Sequence, residues 1–254
     1  MDFTTFSQIF TSAAAKNGIL PPNEAQMQQF YRFTEHLLDI NTHTNLTAIR
    51  EPVGIVDKHY IDSLLAMHLI PEGAKVLDLG CGPGFPSVPL AIMRPDLQIT
   101  ALDSTSKKID FVQKSAEILQ LSNLNGVSGR AEDIKLRKTL GKYDIVVSRA
   151  VARLNILCEL CLPYLRVGGN LIALKGAKYE EELAEATNAI KVLGGETVKI
   201  EQKDLVTTST QIQLFHEAFV YTPAHVHTHT PQAEVAARPH ILVLLTVSGI
   251  LTCL

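Results

Sequence analysis

The pattern of apolar and polar positions divides the chain into a helical front and an alternating remainder. Across residues 1–70, apolar side chains recur three or four positions apart, as they do in amphipathic helices. From about residue 75 to 202, strand-like runs alternate with helix-like runs. We place strands near 75–80, 97–103, 124–128, 143–149, 170–175 and 196–201, and helices near 85–93, 106–120, 152–165 and 179–192.

This alternation implies crossover connections, and therefore a mostly parallel sheet with helices on both faces. Two glycine pairs, Gly168-Gly169 and Gly194-Gly195, lie where helices are expected to end. We predict an N-terminal helical region over residues 1–70, an α/β domain over 71–222 and an atypical C-terminal tail over 223–254. The helical region and the α/β domain are expected to pack as one unit.

The stretch from Lys75 to Pro89, KVLDLGCGPGFPSVP, is typical of a strand, a glycine-rich turn and a helix. Glycine tolerates positive φ and leaves room for a ligand to lie against bare main chain. Gly80, Gly82 and Gly84 give the spacing G-x-G-x-G, whereas dinucleotide-binding proteins use G-x-G-x-x-G. The spacing favours a ligand other than a dinucleotide, although a tight turn that binds nothing remains an alternative.

Two carboxylates narrow the choice of ligand further. Asp78 precedes the glycine turn, and Asp103 ends the next strand-like run, close to the position where ribose-binding carboxylates are found. Together with the turn they suit a ligand that carries ribose hydroxyls and no phosphate. S-adenosylmethionine is such a ligand.

Charge and composition exclude several classes of protein. A formal charge of -3 over 254 residues argues against a protein that coats nucleic acid non-specifically, because such proteins carry a strong basic excess. Four cysteines give no disulfide scaffold, and the N-terminus has no export signal, so we expect a cytoplasmic protein. The apolar run 241–254 is too short to span a bilayer.

The carboxyl ends of parallel strands meet at one edge of a sheet, so candidate chemistry is collected there. After the third strand comes Gly129–Asp133, where an adenine ring could stack on small side chains. Arg149 and Lys175 end the fourth and fifth strands as cations that could meet a carboxylate or a phosphate. A surface ion pair is the alternative role for Arg149.

The residue types near the turn also indicate which acceptors of a methyl group are compatible with the site. Methylation of a pyrimidine carbon would need a cysteine nucleophile, and Cys158 and Cys161 suit apolar packing in a helix better. The place where an Asn/Asp-Pro-Pro-aromatic turn would serve an adenine amino group holds SRAV instead. A ring nitrogen with a free lone pair, such as guanine N7, needs no general base, which agrees with the absence of an obvious one.

Several segments together resemble one family, the RsmG (GidB) methyltransferases. They are NLTAIR at 45–50, KHYIDSL at 58–64, VLDLGCGPGFPSVPL at 76–90, LDSTSKKIDFV at 102–112, GRAED at 129–133, VVSRAVARL at 146–154 and LIALKG at 171–176. The resemblance covers roughly residues 20–200, and the segments ahead of the glycine turn are its most specific part. It implies a Rossmann-like class I methyltransferase fold that uses S-adenosylmethionine to methylate a guanine N7 in 16S ribosomal RNA.

The resemblance also implies a set of site residues. It places Gly80, Phe85, Ala131, Glu132 and Arg149 against the methyl donor, to which the turn and the ribose argument add Gly82 and Asp103. It leaves the catalytic residue unknown and makes three residues candidates for the substrate side: His59, Asp62 and Lys175. We expect a monomer that acts on the small ribosomal subunit, without a membrane and without a metal ion.

The end of the chain departs from the family pattern. Family members end in a basic, proline-rich stretch, whereas residues 244–254 contain neither lysine nor arginine, which predicts weaker RNA binding. Alternating histidines at 225, 227, 229 and 240 could hold a metal, but no carboxylate or cysteine accompanies them in a known ligand spacing. The alternatives are a non-catalytic protein that binds S-adenosylmethionine or RNA, and an NAD-dependent oxidoreductase.

Overall fold

The computed structural model describes residues 1–176, 178–206 and 239–247. Within these ranges seven strands form one sheet in the order β3-β2-β1-β4-β5-β7-β6. The strands are β1 (Lys75–Leu79), β2 (Gln98–Asp103), β3 (Leu124–Ser128), β4 (Tyr143–Arg149), β5 (Leu165–Lys175), β6 (Gly195–Asp204) and β7 (Pro239–Val247). β1 to β5 pair in parallel, and β7 runs antiparallel between β5 and β6. The predicted mostly parallel α/β sheet is confirmed.

The helices of the described ranges precede the sheet or connect its strands. They are α1 (Phe3–Lys16), α2 (Glu24–Asn41), α3 (Pro52–Ile55), α4 (Asp62–Leu64), α5 (Ser87–Met93), α6 (Ser106–Leu119), α7 (Ile134–Leu140), α8 (Leu154–Cys161) and α9 (Tyr179–Val192). A π-helical segment (Val56–Ile61) joins α3 to α4, and two 3-10 turns cover Met67–Leu69 and Leu162–Tyr164.

Local sequence sets the helix starts at the N-terminus. Asp2 caps α1 by accepting the backbone N–H of Thr5 at 2.9 Å. Asn23 and Gln26 cap α2 reciprocally, each side chain accepting the backbone N–H of the other. Such caps satisfy N–H groups that have no partner within the helix.

Alternate residues of each strand supply two hydrophobic cores, one on each face of the sheet. In β4, Ile145 and Val147 belong to the core that includes α1, α2, α5 and α6, whereas Val146 belongs to the core beneath α8 and α9. The first core contains an aromatic cluster from both parts of the chain: Phe6, Phe10, Phe30, Phe33, Tyr60, Phe85 and Phe111. The helical front therefore packs directly on the sheet.

Several boundaries differ from those predicted from the sequence. The helix expected at 152–165 ends at Cys161, and β5 begins at Leu165, so Gly168-Gly169 lies inside a strand rather than at a helix end. Gly168 has a φ of +77° there. Helix α7, which was not predicted, has no fully buried residue, and only Leu136 and Leu140 pack, partly buried, against the core beneath α8 and α9.

The C-terminal strand lies beyond the predicted end of the α/β domain. The sequence suggested a boundary at residue 222, whereas β7 begins at Pro239 and occupies an interior position of the sheet. The histidines at 225, 227 and 229 lie outside the described residues, and of His240 the structure describes only the backbone. No helix in the described ranges combines the length and apolar character that crossing a membrane requires.

Candidate functional site

The glycine turn between β1 and α5 brings bare backbone to the carboxyl edge of the sheet. Gly80, Gly82 and Gly84 have φ values of +77°, +56° and +98°, a region that other residues rarely adopt. The N–H of Gly80 donates to the carbonyl oxygen of Leu102 at 2.7 Å, which ties the turn to β2. A Cβ atom on Gly80 would lie 2.2 Å from Cγ2 of Val151, so no side chain fits at this position.

Asp103 at the end of β2 completes the turn. Its side chain is buried, and its Oδ2 accepts the backbone N–H of Gly82 at 3.0 Å. Oδ1 accepts the N–H of Thr105 at 2.8 Å, and Nζ of Lys108 lies 3.7 Å from Oδ2. Two backbone N–H donors and the nearby ammonium of Lys108 thus fix the carboxylate at the wall of a cavity.

The cavity beside Asp103 has a volume of about 340 Å³ and opens between the ends of β2, β3 and β4. Ala131 and Glu132 line its far side. The carbonyl oxygen of Ala131 accepts the hydroxyl of Tyr164 at 2.9 Å, which fixes the backbone of this loop. Glu132 is exposed and pairs with Arg130 across an exposed turn.

A second cavity of about 1030 Å³ adjoins the first along the glycine turn. Gly80, Lys108, Ala150 and Val151 line both cavities, so the two share one boundary. The second cavity is lined by all the remaining candidates: His59, Asp62, Gly82, Phe85, Arg149 and Lys175. The structure therefore brings every residue of the predicted donor and substrate set to one of two adjoining cavities.

Arg149 lies at the centre of a hydrogen-bonded cluster in the second cavity. Its Nη1 donates to Oδ2 of Asp62 at 2.6 Å and to the carbonyl oxygen of Lys58 at 3.0 Å. Its Nη2 lies 3.2 Å from Nδ1 of His59, and its guanidinium carbon lies 5.6 Å from the ring centre of Phe85. The side chains of Arg149 and Asp62 are 17% and 7% exposed, so this is a largely buried ion pair and not a surface pair.

Lys175 is engaged by the protein itself. Its side chain is 9% exposed, and Nζ lies 2.6 Å from Oε2 of Glu182. The same ammonium donates to the carbonyl oxygen of Ala152 at 2.7 Å, while Oε2 of Glu182 also accepts the N–H of Leu154. Lys175 consequently anchors the loop after β4, and its predicted substrate contact stays a prediction.

Asp78 has a different place from the one that the sequence suggested. It is fully buried, lines neither cavity, and accepts the backbone N–H of Ser87 at 2.9 Å, so it supports the first turn of α5. Its Oδ1 has no hydrogen-bond partner, and burial raises the pKa of this carboxyl to about 7. Asp78 therefore stabilises the glycine turn from within the core.

Burial disfavours the thiolate form of the three cysteines among the described residues. Cys81, Cys158 and Cys161 are buried and form no disulfide, and burial raises the pKa of each thiol, that of Cys158 to about 12. The predicted packing role of the helical pair is confirmed, since both belong to the core beneath α8 and α9. Among the residues that the structure describes, no cluster of three or more histidine, cysteine or carboxylate side chains could hold a metal ion.

Four residues of the site had no role assigned to them from the sequence. Thr47, Lys108, Val151 and Glu182 contact the candidates or line the cavities. Lys108 carried a signal, because it lies in the first turn of α6, shortly after Asp103, and this turn brings its ammonium near that carboxylate. Thr47 lies in the loop after α2, Val151 lies far along the chain from Gly80, and Glu182 lies in α9, so no local pattern reveals these contacts.

Comparisons with known proteins agree on a family. A family profile described as rRNA small subunit methyltransferase G (GidB) matches residues 26–211. The ribosomal RNA small subunit methyltransferase G of Brevibacillus brevis is 44% identical over 200 residues, which cover 78% of this chain and 84% of that protein. The protein of that name from Clostridium beijerinckii is 39% identical over 209 residues, covering 80% and 86%.

Solved structures agree on the fold. The O-methyltransferase from Bacillus cereus in complex with SAH has a TM-score of 0.54 at 14% identity, over 96% of this chain and 100% of that one. Coclaurine N-methyltransferase bound to N-methylheliamine and SAH has a TM-score of 0.53 at 12% identity, over 97% and 95%. The expected class I methyltransferase fold is confirmed, and so is the resemblance noted in the sequence. The chain belongs to the GidB family, the rRNA small subunit methyltransferase G proteins.

Proposed function

We propose that this protein transfers the methyl group of S-adenosylmethionine to N7 of a guanine in the 16S ribosomal RNA of the small ribosomal subunit. The observation that carries the proposal is the pair of adjoining cavities, which meet at the bare backbone of Gly80 and are lined by all the predicted site residues. The family membership supports the choice of substrate.

The smaller cavity fits the nucleoside end of the donor. Asp103 presents a fixed carboxylate, which is a suitable acceptor for ribose hydroxyls. Ala131 leaves a shallow wall on which an adenine ring can lie, and Glu132 offers a polar group beside it. A ligand that extends from this cavity must cross Gly80 to enter the larger one.

The larger cavity fits the reacting end. Arg149 is held there as a fixed cation that can meet a carboxylate such as that of a methionine group. The donor supplies an electrophilic methyl carbon on a sulfonium, and displacement at such a carbon requires an in-line nucleophile. The task of the protein is therefore to fix the direction and distance of approach.

The chemistry of the acceptor agrees with the side chains present. Guanine N7 has a lone pair in the plane of the ring and carries no proton, so no base has to act before the methyl transfer. Both ring nitrogens of His59 are already hydrogen-bonded, and burial followed by the charge of Arg149 lowers its pKa to about 4. A base that leaves its stack can present N7 edge-on to the donor in the larger cavity.

We also propose a monomer located in the cytoplasm, where it meets ribosomal subunits, with the N-terminal helical region ending near residue 70. Sedimentation of the purified protein tests the oligomeric state, since a monomer has a mass of 27.8 kDa. A stable dimer at micromolar concentration would contradict the proposal.

The function is tested with methyl-labelled S-adenosylmethionine and small ribosomal subunits from a strain that lacks this methylation. We expect label in the 16S RNA of these subunits and none in subunits that already carry the modification. Donor binding without any transfer by a folded protein would support the non-catalytic alternative. Binding of NAD in place of S-adenosylmethionine in a calorimetric titration would support the oxidoreductase.

A further inference from the structure

His59 connects the surface loop after α2 to the guanidinium of Arg149. Its Nδ1 lies 3.2 Å from Nη2 of Arg149, and its Nε2 lies 2.8 Å from Oγ1 of Thr47. The imidazole stacks on the ring of Phe85, with ring centres 4.3 Å apart and an interplanar angle of 15°. The ring is therefore fixed at both nitrogens and on one face.

The hydrogen-bond partners determine where the imidazole proton lies. Arginine remains protonated in proteins and has no acceptor, so Nη2 donates and Nδ1 of His59 must accept. The proton of a neutral ring then lies on Nε2, which donates to Oγ1 of Thr47. That oxygen also accepts the N–H of Ile49 at 3.1 Å. One form of the ring, neutral and protonated at Nε2, satisfies all these contacts.

The charges around the ring favour the same form. Lys58 and Asp62 come from the same helical stretch as His59, and Arg149 faces it from β4. A proton on Nδ1 would direct an N–H at the guanidinium, which has no oxygen or nitrogen lone pair to receive it. Desolvation and Arg149 outweigh the attraction of Asp62, so the ring stays neutral at physiological pH.

The π-helical segment Val56–Ile61 supplies the geometry. A π-helix holds more residues per turn than an α-helix, and such segments occur frequently at functional sites. Here it presents the carbonyl oxygen of Lys58, the ring of His59 and, at the start of α4, the carboxylate of Asp62 to the same guanidinium. Three acceptors from one short stretch define the position of Arg149 in the cavity.

We propose that His59 is a positioning residue for donor binding. Thr47 orients its ring, and the ring holds the guanidinium of Arg149 at the end of β4. The inference rests on the proposed function, because it requires that Arg149 binds the carboxylate of the donor. It also changes the role of His59 from the substrate contact expected from the sequence. The loop that contains Thr47 thereby becomes part of the donor site without touching the donor.

Two amide substitutions separate the two ring nitrogens. His59→Asn places an amide oxygen near the position of Nδ1 and can still accept from Arg149. His59→Gln places its amide near Nε2 and keeps only the Thr47 contact. Because a lost hydrogen bond to a charged group weakens an interaction measurably, we expect H59Q to raise the Kd for S-adenosylmethionine about tenfold, and H59N clearly less.

The same logic applies to Thr47, which can be varied without touching Arg149. Thr47→Val removes the hydroxyl, so the ring of His59 loses its second hydrogen bond and donor affinity falls. Thr47→Ser keeps a hydroxyl, so its donor affinity is expected to match that of the wild type. His68→Gln is the matched control, because His68 lies outside both cavities and pairs with Glu201. Calorimetric titration and thermal unfolding of each variant separate weaker binding from lost stability.

A spectroscopic measurement needs neither donor nor RNA. In protein labelled with ¹⁵N-histidine, two-bond ¹H–¹⁵N correlations at pH 7 are expected to show the neutral Nε2–H form for the signal that disappears in H59N. An Nδ1–H or doubly protonated ring at that position overturns the inference, and so does wild-type donor affinity in H59Q. If H59Q loses donor affinity but the wild-type protein methylates no subunits, only the choice of substrate is overturned.

Discussion

Asp103 accepts the backbone N–H of Gly82, so the carboxylate predicted to meet the donor also holds the turn against which the donor lies. Replacement by alanine removes both roles. We expect Asp103→Ala to weaken binding of S-adenosylmethionine by about 1.5–3 kcal/mol, the usual range for a hydrogen bond to a charged acceptor. Calorimetric titration measures this change.

A 2′-deoxy analogue of S-adenosylhomocysteine separates the two roles of Asp103. Loss of the hydroxyl is expected to weaken binding to the wild-type protein and to have little effect on Asp103→Ala, because the partner is already missing. Equal penalties in both proteins would show that Asp103 supports the turn alone and does not meet the ribose.

Gly80→Ala tests the bare backbone between the two cavities. The new Cβ would lie 2.2 Å from Cγ2 of Val151 at a φ of +77°, so we expect both lower stability and loss of donor binding. Gly141→Ala is the matched control, because Gly141 lines neither cavity, its φ is +74° and nothing lies within 4 Å of the new atom. It is expected to show mainly the conformational cost of roughly 1–2 kcal/mol in the free energy of unfolding.

The contact with Val151 can be tested directly by a second substitution. Gly80→Ala combined with Val151→Ala removes the clash, and we expect it to recover part of the stability lost in the single variant. Denaturant unfolding of the four proteins gives the coupling energy. Strict additivity would contradict the close approach of Val151 to the turn.

Lys175→Met is expected to destabilise the protein. The side chains of Lys175 and Glu182 are 9% and 16% exposed, and removal of the cation leaves the carboxylate of Glu182 with the N–H of Leu154 but without an opposite charge. Breaking such a pair costs about 3 kcal/mol in the free energy of unfolding. The double variant Lys175→Met, Glu182→Gln is expected to recover most of this, and a double variant as unstable as the single one would refute the pair.

The raised pKa of Asp78 predicts a pH dependence of stability. The folded protein keeps a proton on this carboxyl up to about pH 7, whereas the unfolded chain releases it near the ordinary value of 3.8. Between these values the folded state binds more protons, so its stability falls as the pH rises, by at most about 1.4 kcal/mol per pH unit. Above pH 7 both states are ionised and this contribution is constant.

Asp78→Asn isolates the contribution, because its amide oxygen can still accept the N–H of Ser87 and the side chain does not titrate. We expect the stability difference between Asp78→Asn and the wild type to grow in favour of the variant from pH 4.5 to pH 7. A difference that does not change over this range would show that Asp78 ionises normally.

The sequence predicted the sheet and the cavity residues well because both follow from the order of strands and loops along the chain. Parallel strands bring their carboxyl ends together, so Gly80, Asp103, Ala131 and Arg149 had to meet once the strands were placed correctly. The turn spacing and the family resemblance then identified the kind of ligand.

What the sequence could not show were the partners of these residues. An apolar pattern from Ile55 to Leu69 indicates one helix, and nothing in it marks the π-helical turn that presents His59 and Asp62 to Arg149. The role of Lys175 depends on Glu182, which lies in α9 and meets it only in the folded protein. The interior place of β7 likewise depends on long-range pairing with β5 and β6.

The central claim is tested most directly by mapping the methyl group that the protein adds to unmethylated small ribosomal subunits. Digestion of the 16S RNA and mass spectrometry of its nucleosides identify the modified base, and reduction followed by aniline cleavage locates a 7-methylguanosine in the chain. We predict one new 7-methylguanosine per subunit, absent when Gly80→Ala replaces the wild-type protein. Methylation of another atom or base, or none by a protein that binds the donor, would contradict the account.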